Sequence, residues 1–259
     1  THREDFCIEW FVYAQTVSYA IPCIIAFCIV LGKARRFSFH FDLKFLLQIV
    51  KKTYPFALLS LLMSLYTRTD MVMIERMLPD GAKQAGIYAQ SYRILDAVSM
   101  FAYLFATLLL PMFAKMLKDQ VPLGKFTKFS FLLLLSPVLV FVIGCCSYST
   151  ELMDLMYEES IDTSAKIFQV LIIGFIPISS SYIFGTLLTA NNSMKVMNLM
   201  AAAGMICNIG FNAIFIPRYG AWGAAVVSVI TQFFTGIIQI ILSLKYFKFH
   251  LPRQTLLGR

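Results

Sequence analysis

The sequence predicts an all-α membrane protein with seven transmembrane helices. Three observations carry that expectation. The composition is 59% hydrophobic and 14% charged, where soluble domains carry about 25% charged residues. Several charge-free runs have the length of a bilayer crossing. The lysines and arginines gather in alternate links between those runs. So few charges cannot coat a soluble chain of 259 residues, but they suffice for the loops of a multi-pass protein. A net charge of +8 would suggest nucleic acid in a soluble chain. Basic residues confined to loops follow a membrane topology signal instead, and no RRM, zinc or helix-turn-helix pattern is present. Nucleic-acid binding is not expected.

A hydrocarbon core of about 30 Å needs about 20 helical residues. Runs 10–32, 129–150, 167–194, 196–217 and 219–244 meet that length without a charge, or nearly so. Two shorter runs, 97–114 and 53–67, cross only if they continue through charges. One must extend back through Asp96 and Arg93, the other forward through Arg68 and Asp70. The expected helices are therefore 8–31, 54–78, 84–116, 125–149, 164–190, 193–216 and 220–247. The links carry turn chemistry in Pro79-Asp80-Gly81, Pro122-Leu123-Gly124, Asn191-Asn192-Ser193 and Pro217-Arg218-Tyr219-Gly220.

Loop charge sets the orientation. The links after helices 1, 3, 5 and 7 face one side and hold 15 of the 22 lysines and arginines, including Lys33, Arg35, Arg36, Lys115, Lys118, Lys195 and Arg259. The other side holds Arg3, Arg76, Lys83, Lys166 and Arg218, with the acidic Glu151, Asp154, Glu158, Glu159 and Asp162. The positive-inside rule places the basic side in the cytoplasm, with Thr1 outside and Arg259 inside. Residues 1–10 are polar and acidic, and the next run is too long for a signal peptide. An outside N-terminus then needs upstream helices to deliver it, so a preceding N-terminal part is expected. Residues 42–53 place Leu43, Leu46, Leu47 and Val50 on one helical face and lysines elsewhere, which reads as an interfacial helix or a plain basic linker.

Polar residues recur at helical spacing within the membrane segments. They are Ser60, Ser64 and Arg68 on helix 2, and Gln84, Tyr88, Tyr92, Asp96, Ser99 and Tyr103 on helix 3. Helix 5 carries Ser179, Tyr182, Thr186 and Thr189; helix 6 Asn198, Asn208 and Asn212; helix 7 Ser228, Gln232, Thr235, Gln239 and Ser243. Polar groups facing lipid are costly, so these stripes either hydrogen-bond helices together or line a wet cavity. Arg68, Asp70, Arg93 and Asp96 lie at similar depth below the Pro79 turn, so a pair such as Arg68 with Asp96 is available across helices. Ionisable residues there either pair structurally, snorkel to headgroups or serve function. In the last case the arginines would hold a phosphate bidentately. The aspartates would keep the site exchangeable or couple to a cation. The substrate-cavity candidates are Arg68, Asp70, Arg93, Asp96, Tyr88, Tyr92, Ser64, Asn208, Asn212 and Gln232.

Pro177 within helix 5 predicts a kink that is either a hinge or static. The small residues around Gly204 and Gly220–Ala225 predict close helix packing. The six cysteines (Cys7, Cys23, Cys28, Cys145, Cys146, Cys207) read as buried small hydrophobes, and the three histidines show no metal spacing. No acid-rich metal motif, G-x-S-x-G or Walker loop points to an enzyme. The loop cluster Glu158, Glu159 and Asp162 reads as a solvated loop or a cation site.

The series Tyr54-Pro55-Phe56, Arg68-Thr69-Asp70-Met71-Val72-Met73-Ile74, Ala85-Gly86-Ile87-Tyr88 and Leu110-Pro111 resembles the polysaccharide flippases. These belong to the multidrug/oligosaccharidyl-lipid/polysaccharide exporter superfamily. Ala190-Asn191-Asn192, Asn208, Asn212 and the run from Ile216 to Ala225 extend the resemblance to about residues 45–247. It implies two six-helix bundles around a central cavity. Here 1–41 would be the last helix of the first bundle with its basic link, 42–53 the interfacial helix, 54–247 the second bundle and 248–259 a cytoplasmic tail. It also implies flipping of undecaprenyl-pyrophosphate-linked oligosaccharide across a bacterial inner membrane by alternating access, without a bound cofactor and with sodium or proton coupling. The expected partners are that lipid-linked oligosaccharide, membrane lipid and the N-terminal bundle of the same protein. The competing functions are a cation-coupled multidrug exporter and a non-transporting scaffold subunit.

Overall fold

The computed structural model describes residues 8–33 and 42–247. The basic residues Arg3, Arg35, Arg36, Lys248, Arg253 and Arg259, the tail 248–259 and Cys7 lie outside the described residues. Helices α1 (Ile8–Lys33), α2 (Leu43–Met77), α3 (Gly81–Lys118), α4 (Gly124–Ser147), α5 (Ser149–Met156), α6 (Ile161–Ile173), α7 (Phe175–Ala190) and α8 (Met194–Phe247) follow in order. No strand occurs among the described residues. The chain divides into the units Thr1–Val50 and Lys51–Arg259.

The first unit contains α1 and the start of α2. Asp42 begins α2 as a cap, its carboxylate accepting the N–H of Lys44 at 2.9 Å and of Phe45 at 3.2 Å. The helix then continues to Met77 without a break. The residues expected as an interfacial helix, 42–53, are helical from Leu43 within α2. Pro55 lacks an N–H but does not end it.

In the second unit α7 is the central helix, packed against α3, α4 and α8. It buries Phe175, Pro177, Ser179, Ile183, Phe184, Leu187 and Leu188. The expected fifth helix, 164–190, is α6 and α7 in succession, one stretch long enough to span that is kinked at Gly174, where the backbone stays helical at φ −61° and ψ −17°. The kink falls three residues ahead of Pro177, where the proline ring and missing N–H disturb the preceding turn. The short α5 occupies part of the loop after α4.

The expected sixth and seventh helices share the label α8, but they are two arms. Gly220 has φ 61° and ψ −148°, outside helical space. Asn212 and Ser228 both reach the carboxylate of Asp70. A straight helix would hold them about 24 Å apart, so the chain folds back at Gly220. Gly204 on the first arm meets the Thr235 methyl on the second, a Cβ-to-methyl approach of 2.8 Å if a side chain were added. Among the described residues six helices are long and apolar enough to span, and counting both arms of α8 they supply seven candidate crossings. The protein is an all-α, multi-pass membrane protein.

Glue and cavity both account for the polar stripes. Asn198 donates to the Pro55 carbonyl at 2.9 Å, and Ser91 to the Ser164 carbonyl at 2.8 Å. Thr186 and Thr189 bond back to carbonyls four residues earlier. The cysteine expectation holds in part. Cys145 is buried, Cys146 and Cys207 are half-buried, and Cys23 and Cys28 are exposed and free.

Gly220→Ala puts a Cβ on a backbone conformation that L-residues avoid, at about 1–3 kcal/mol. A thermal melt of the detergent-purified protein should show a Tm several degrees lower. Gly210→Ala, at a helical position with nothing near its Cβ, should leave the Tm unchanged or raise it.

Candidate functional site

The ten candidate residues fall into two adjoining sites and two outliers. The first site is built on Asp70, which is 1% exposed. Its Oδ1 accepts from Asn212 Nδ2 at 2.6 Å. Its Oδ2 accepts from the Tyr88 hydroxyl at 3.0 Å and from the Ser228 hydroxyl. Asn212 Nδ2 also donates to Asn208 Oδ1 at 3.1 Å. One carboxylate thus ties α2, α3 and both arms of α8 together. All its partners are neutral. Among the described residues the single ion pair is Arg68 with Asp96, so no cationic side chain offsets Asp70. Asn208 Nδ2 and Asn212 Oδ1 are buried without partners. Asp70 Oδ1 and Oδ2, Asn208 Oδ1, Asn212 Oδ1 and Ser228 Oγ form an oxygen-rich set suited to a proton or a small hard cation. No cluster of three His, Cys, Asp or Glu suited to a transition metal occurs among the described residues.

The second site is a cavity of about 490 Å³ inside the bundle, walled by α2, α3, α7 and both arms of α8. Tyr66, Tyr92, Tyr103, Tyr182, Asp96, Gln232, Thr235 and Gln239 line it, with Met63, Met197 and Met200 between them. Tyr103 and Tyr182 meet edge to face at 6.0 Å. Gln232 is 6% exposed and its Oε1 has no partner. That oxygen lies in the space a Cβ on Gly174 would take, 2.2 Å from where it would stand. Only glycine at the α6–α7 junction lets the amide sit there.

Two tyrosine contacts join the sites. Tyr92 lines the cavity and stacks on Tyr88 at 5.8 Å, and Tyr88 donates to Asp70. Tyr66 lines the cavity and its hydroxyl shares a 2.9 Å hydrogen bond with Thr231, one turn beyond Ser228. At the rim Arg68 Nη2 stands 3.5 Å from Asp96 Oδ2, with both side chains half exposed. The cross-helix pair expected from the sequence is present.

Arg93 and Ser64 do not join either site. Both are exposed and neither lines the cavity. Arg93 lies one turn before Asp96 and only about 60° around α3 from it, yet its side chain stays outside the cavity lining. Ser64 and Ser60 follow a stripe one position out of phase with the inward face of α2. That face is Leu59, Met63, Tyr66, Asp70 and Ile74. Tyr66 was missed for this reason, although its four-residue spacing to Asp70 and Ile74 carried the signal. The loop residues Glu158 and Glu159 are exposed.

Asp70→Ala removes the acceptor of three buried donors. Each orphaned group costs about 1–3 kcal/mol, so the purified variant should melt well below wild type, by more than any single-donor variant such as Ser228→Ala. Arg93→Ala should melt with wild type.

The comparisons agree with this architecture. Residues 5–117 match the family described as polysaccharide biosynthesis protein. A capsular polysaccharide biosynthesis protein of Staphylococcus aureus, CapF, is 27% identical over 229 residues, 82% of this chain and 55% of the relative. The lipid II flippase MurJ in an inward closed conformation superposes with a TM-score of 0.67 at 18% identity, covering 90% of this chain and 50% of MurJ. A multidrug resistance MATE-family transporter of the MOP superfamily in an outward-facing conformation gives 0.64 at 17% identity, covering 80% and 45%. The chain spans about half the length of the relatives it matches. It has the fold of the MOP-superfamily transporters, and its sequence is similar to that superfamily's polysaccharide biosynthesis proteins.

Proposed function

We propose that the protein moves a lipid-linked oligosaccharide, of the undecaprenyl-pyrophosphate class, across a bacterial inner membrane for polysaccharide export. Movement is by alternating access, coupled to a sodium ion or a proton at Asp70. The observation that carries this reading is the buried Asp70, without a cationic side-chain partner and joined through Tyr88 and Tyr92 to a cavity of mixed apolar and polar lining. A lone carboxylate in a low-dielectric interior is costly, and a proton or small cation relieves it. Because Asp70 bridges four helical segments, its occupant favours whichever packing of those segments holds it best. A ligand shifts a conformational equilibrium only through such a differential.

Arg68 at the rim is the proposed phosphate contact, since its guanidinium stands half exposed beside the cavity mouth. The match over residues 5–117 and the CapF similarity support the polysaccharide assignment. The other half of the cavity is assigned to an N-terminal bundle of the same protein. Loop charge supports an orientation with Thr1 outside and Arg259 in the cytoplasm. A cation-coupled multidrug exporter is the second reading, favoured by the MATE likeness. The arginine beside Asp96 opposes it, because it occupies the carboxylate a cationic drug would use. A scaffold subunit has no need of the Asp70 network or the cavity.

The test uses the complete protein in proteoliposomes and follows a labelled lipid-linked oligosaccharide between leaflets. An imposed sodium or proton gradient should drive wild-type movement. Asp70→Asn should abolish the gradient dependence, and Arg68→Ala should slow movement about tenfold or more, as loss of a charge-assisted contact implies. Export of a cationic dye without oligosaccharide movement would replace this reading with the drug exporter.

A further inference from the structure

The geometry points to the fold-back of α8 as an interfacial anchor, where Arg218 holds the phosphate of an anionic phospholipid beside Tyr219 and Trp222. The lipid is the bilayer's own, not the transported molecule. Arg218 is the single charged residue between Lys195 and Lys245. It stands at the turn between two arms that each have the length of a bilayer crossing. Those arms run side by side, so Lys195 and Lys245 share one membrane boundary and Arg218 lies at the other. Among the described residues no carboxylate pairs with it. The α2–α3 turn packs against the fold-back, since Gln84 Oε1 would stand 3.7 Å from a Cβ on Gly220. That turn carries Glu75 and Asp80, balanced by Arg76 and Lys83, and Asp80 accepts from Gln84 Nε2 at 3.2 Å. The acids Glu151, Asp154 and Asp162 line a groove of their own between α5 and α6.

The fold-back also builds an amphipathic aromatic surface. Tyr219 and Trp222 meet edge to face at 6.2 Å, and Phe215 lies 5.8 Å from Tyr219. Gly223 permits this, because a Cβ there would stand 2.8 Å from the Phe215 carbonyl oxygen and 2.9 Å from Tyr219 Cβ. The two outer rings face away from the bundle, with Tyr219 55% and Trp222 42% exposed. Rings with an apolar body and a polar tip belong at headgroup level. The chain on either side of the turn is hydrocarbon-spanning, so the bilayer reaches this surface, and its phosphate supplies the anion that Arg218 lacks. A protein segment is the alternative occupant.

The test uses the complete protein in vesicles of phosphatidylcholine with phosphatidylglycerol. The emission of Trp222 is isolated as the difference between wild type and Trp222→Phe. Bromines beside the headgroup should quench it more strongly than bromines near the chain ends. In detergent, short-chain phosphatidylglycerol should shift that emission, and Arg218→Gln should raise its half-saturating concentration about fivefold, the worth of one interfacial cation toward anionic lipid. Short-chain phosphatidylcholine should bind wild type more weakly than phosphatidylglycerol does, and Arg218→Gln should bind both alike. Arg218→Lys, which keeps the charge, should retain most of the anionic preference and keeps the test valid should Arg218→Gln fail to fold. Emission that neither bromine position quenches shows protein covering the fold-back and overturns the anchor. So does quenching by chain-end bromines alone, or an anionic preference that survives Arg218→Gln at an unchanged Tm.

Discussion

The burial of Asp70 is the constraint from which the rest of the bundle follows. A carboxylate at bilayer depth must have its lone pairs met by protein, because lipid offers no donors. Here the donors come from Tyr88, Asn212 and Ser228, on three different segments. Meeting them fixes the fold-back of α8, since Asn212 and Ser228 can share one carboxylate only if the arms run side by side. It also fixes the rotation of α2 and α3, and that rotation turns Tyr66 and Tyr92 into the cavity. The position of the cavity is a consequence of the way the charge is satisfied.

Close approach does the rest. Lipid gives helices no hydrophobic reason to associate, so they hold through short-range packing and hydrogen bonds. Small residues are placed where the network needs backbones near each other. A Cβ on Gly236 would stand 3.3 Å from Pro177, so the second arm of α8 rests on the kinked part of α7. Gly174 gives Gln232 its place in the same region. The proline kink, the glycine junction and the glutamine meet at one level of the bundle.

Most of the fold was legible because membrane helices announce themselves by length. Charge-free runs and turn residues placed all seven crossings, and the Pro217–Gly220 link correctly divided α8. The kink at the α6–α7 junction was legible from Pro177, though its level at Gly174, three residues earlier, was not. The lysines before Pro55 suggested a separate element from 42 to 53, and composition there gave no sign that helical backbone would run on through the proline. For the site, carboxylate depth was readable and facing was not. Arg93 lies about 60° from Asp96 on α3 and one turn away, yet only Asp96 lines the cavity. Ser60, Ser64 and Arg68 form a convincing stripe on the exposed side of α2. On α3 the stripe ran unbroken from Tyr88 to Tyr103, so phase was unambiguous and the whole face was identified. Helix phase is secure where polar residues continue for four turns and ambiguous where they stop after two.

The two carboxylates differ in what holds them, and the difference suits opposite tasks. Asp96 is half exposed and paired with an arginine. Pairs of that kind contribute about 0–1 kcal/mol, so on the proposed reading a substrate phosphate would displace Asp96 from Arg68 at little cost. Asp70 is enclosed, and every donor on it belongs to a helix that must keep its place. On the proposed reading, gaining or losing an occupant there would bias the packing of four segments at once. Tyr88 and Tyr92, stacked between the two carboxylates, give the paired site and the enclosed one a shared wall. On the proposed reading, a change at Asp70 would reach the cavity through these packed rings, without a charge having to move between them.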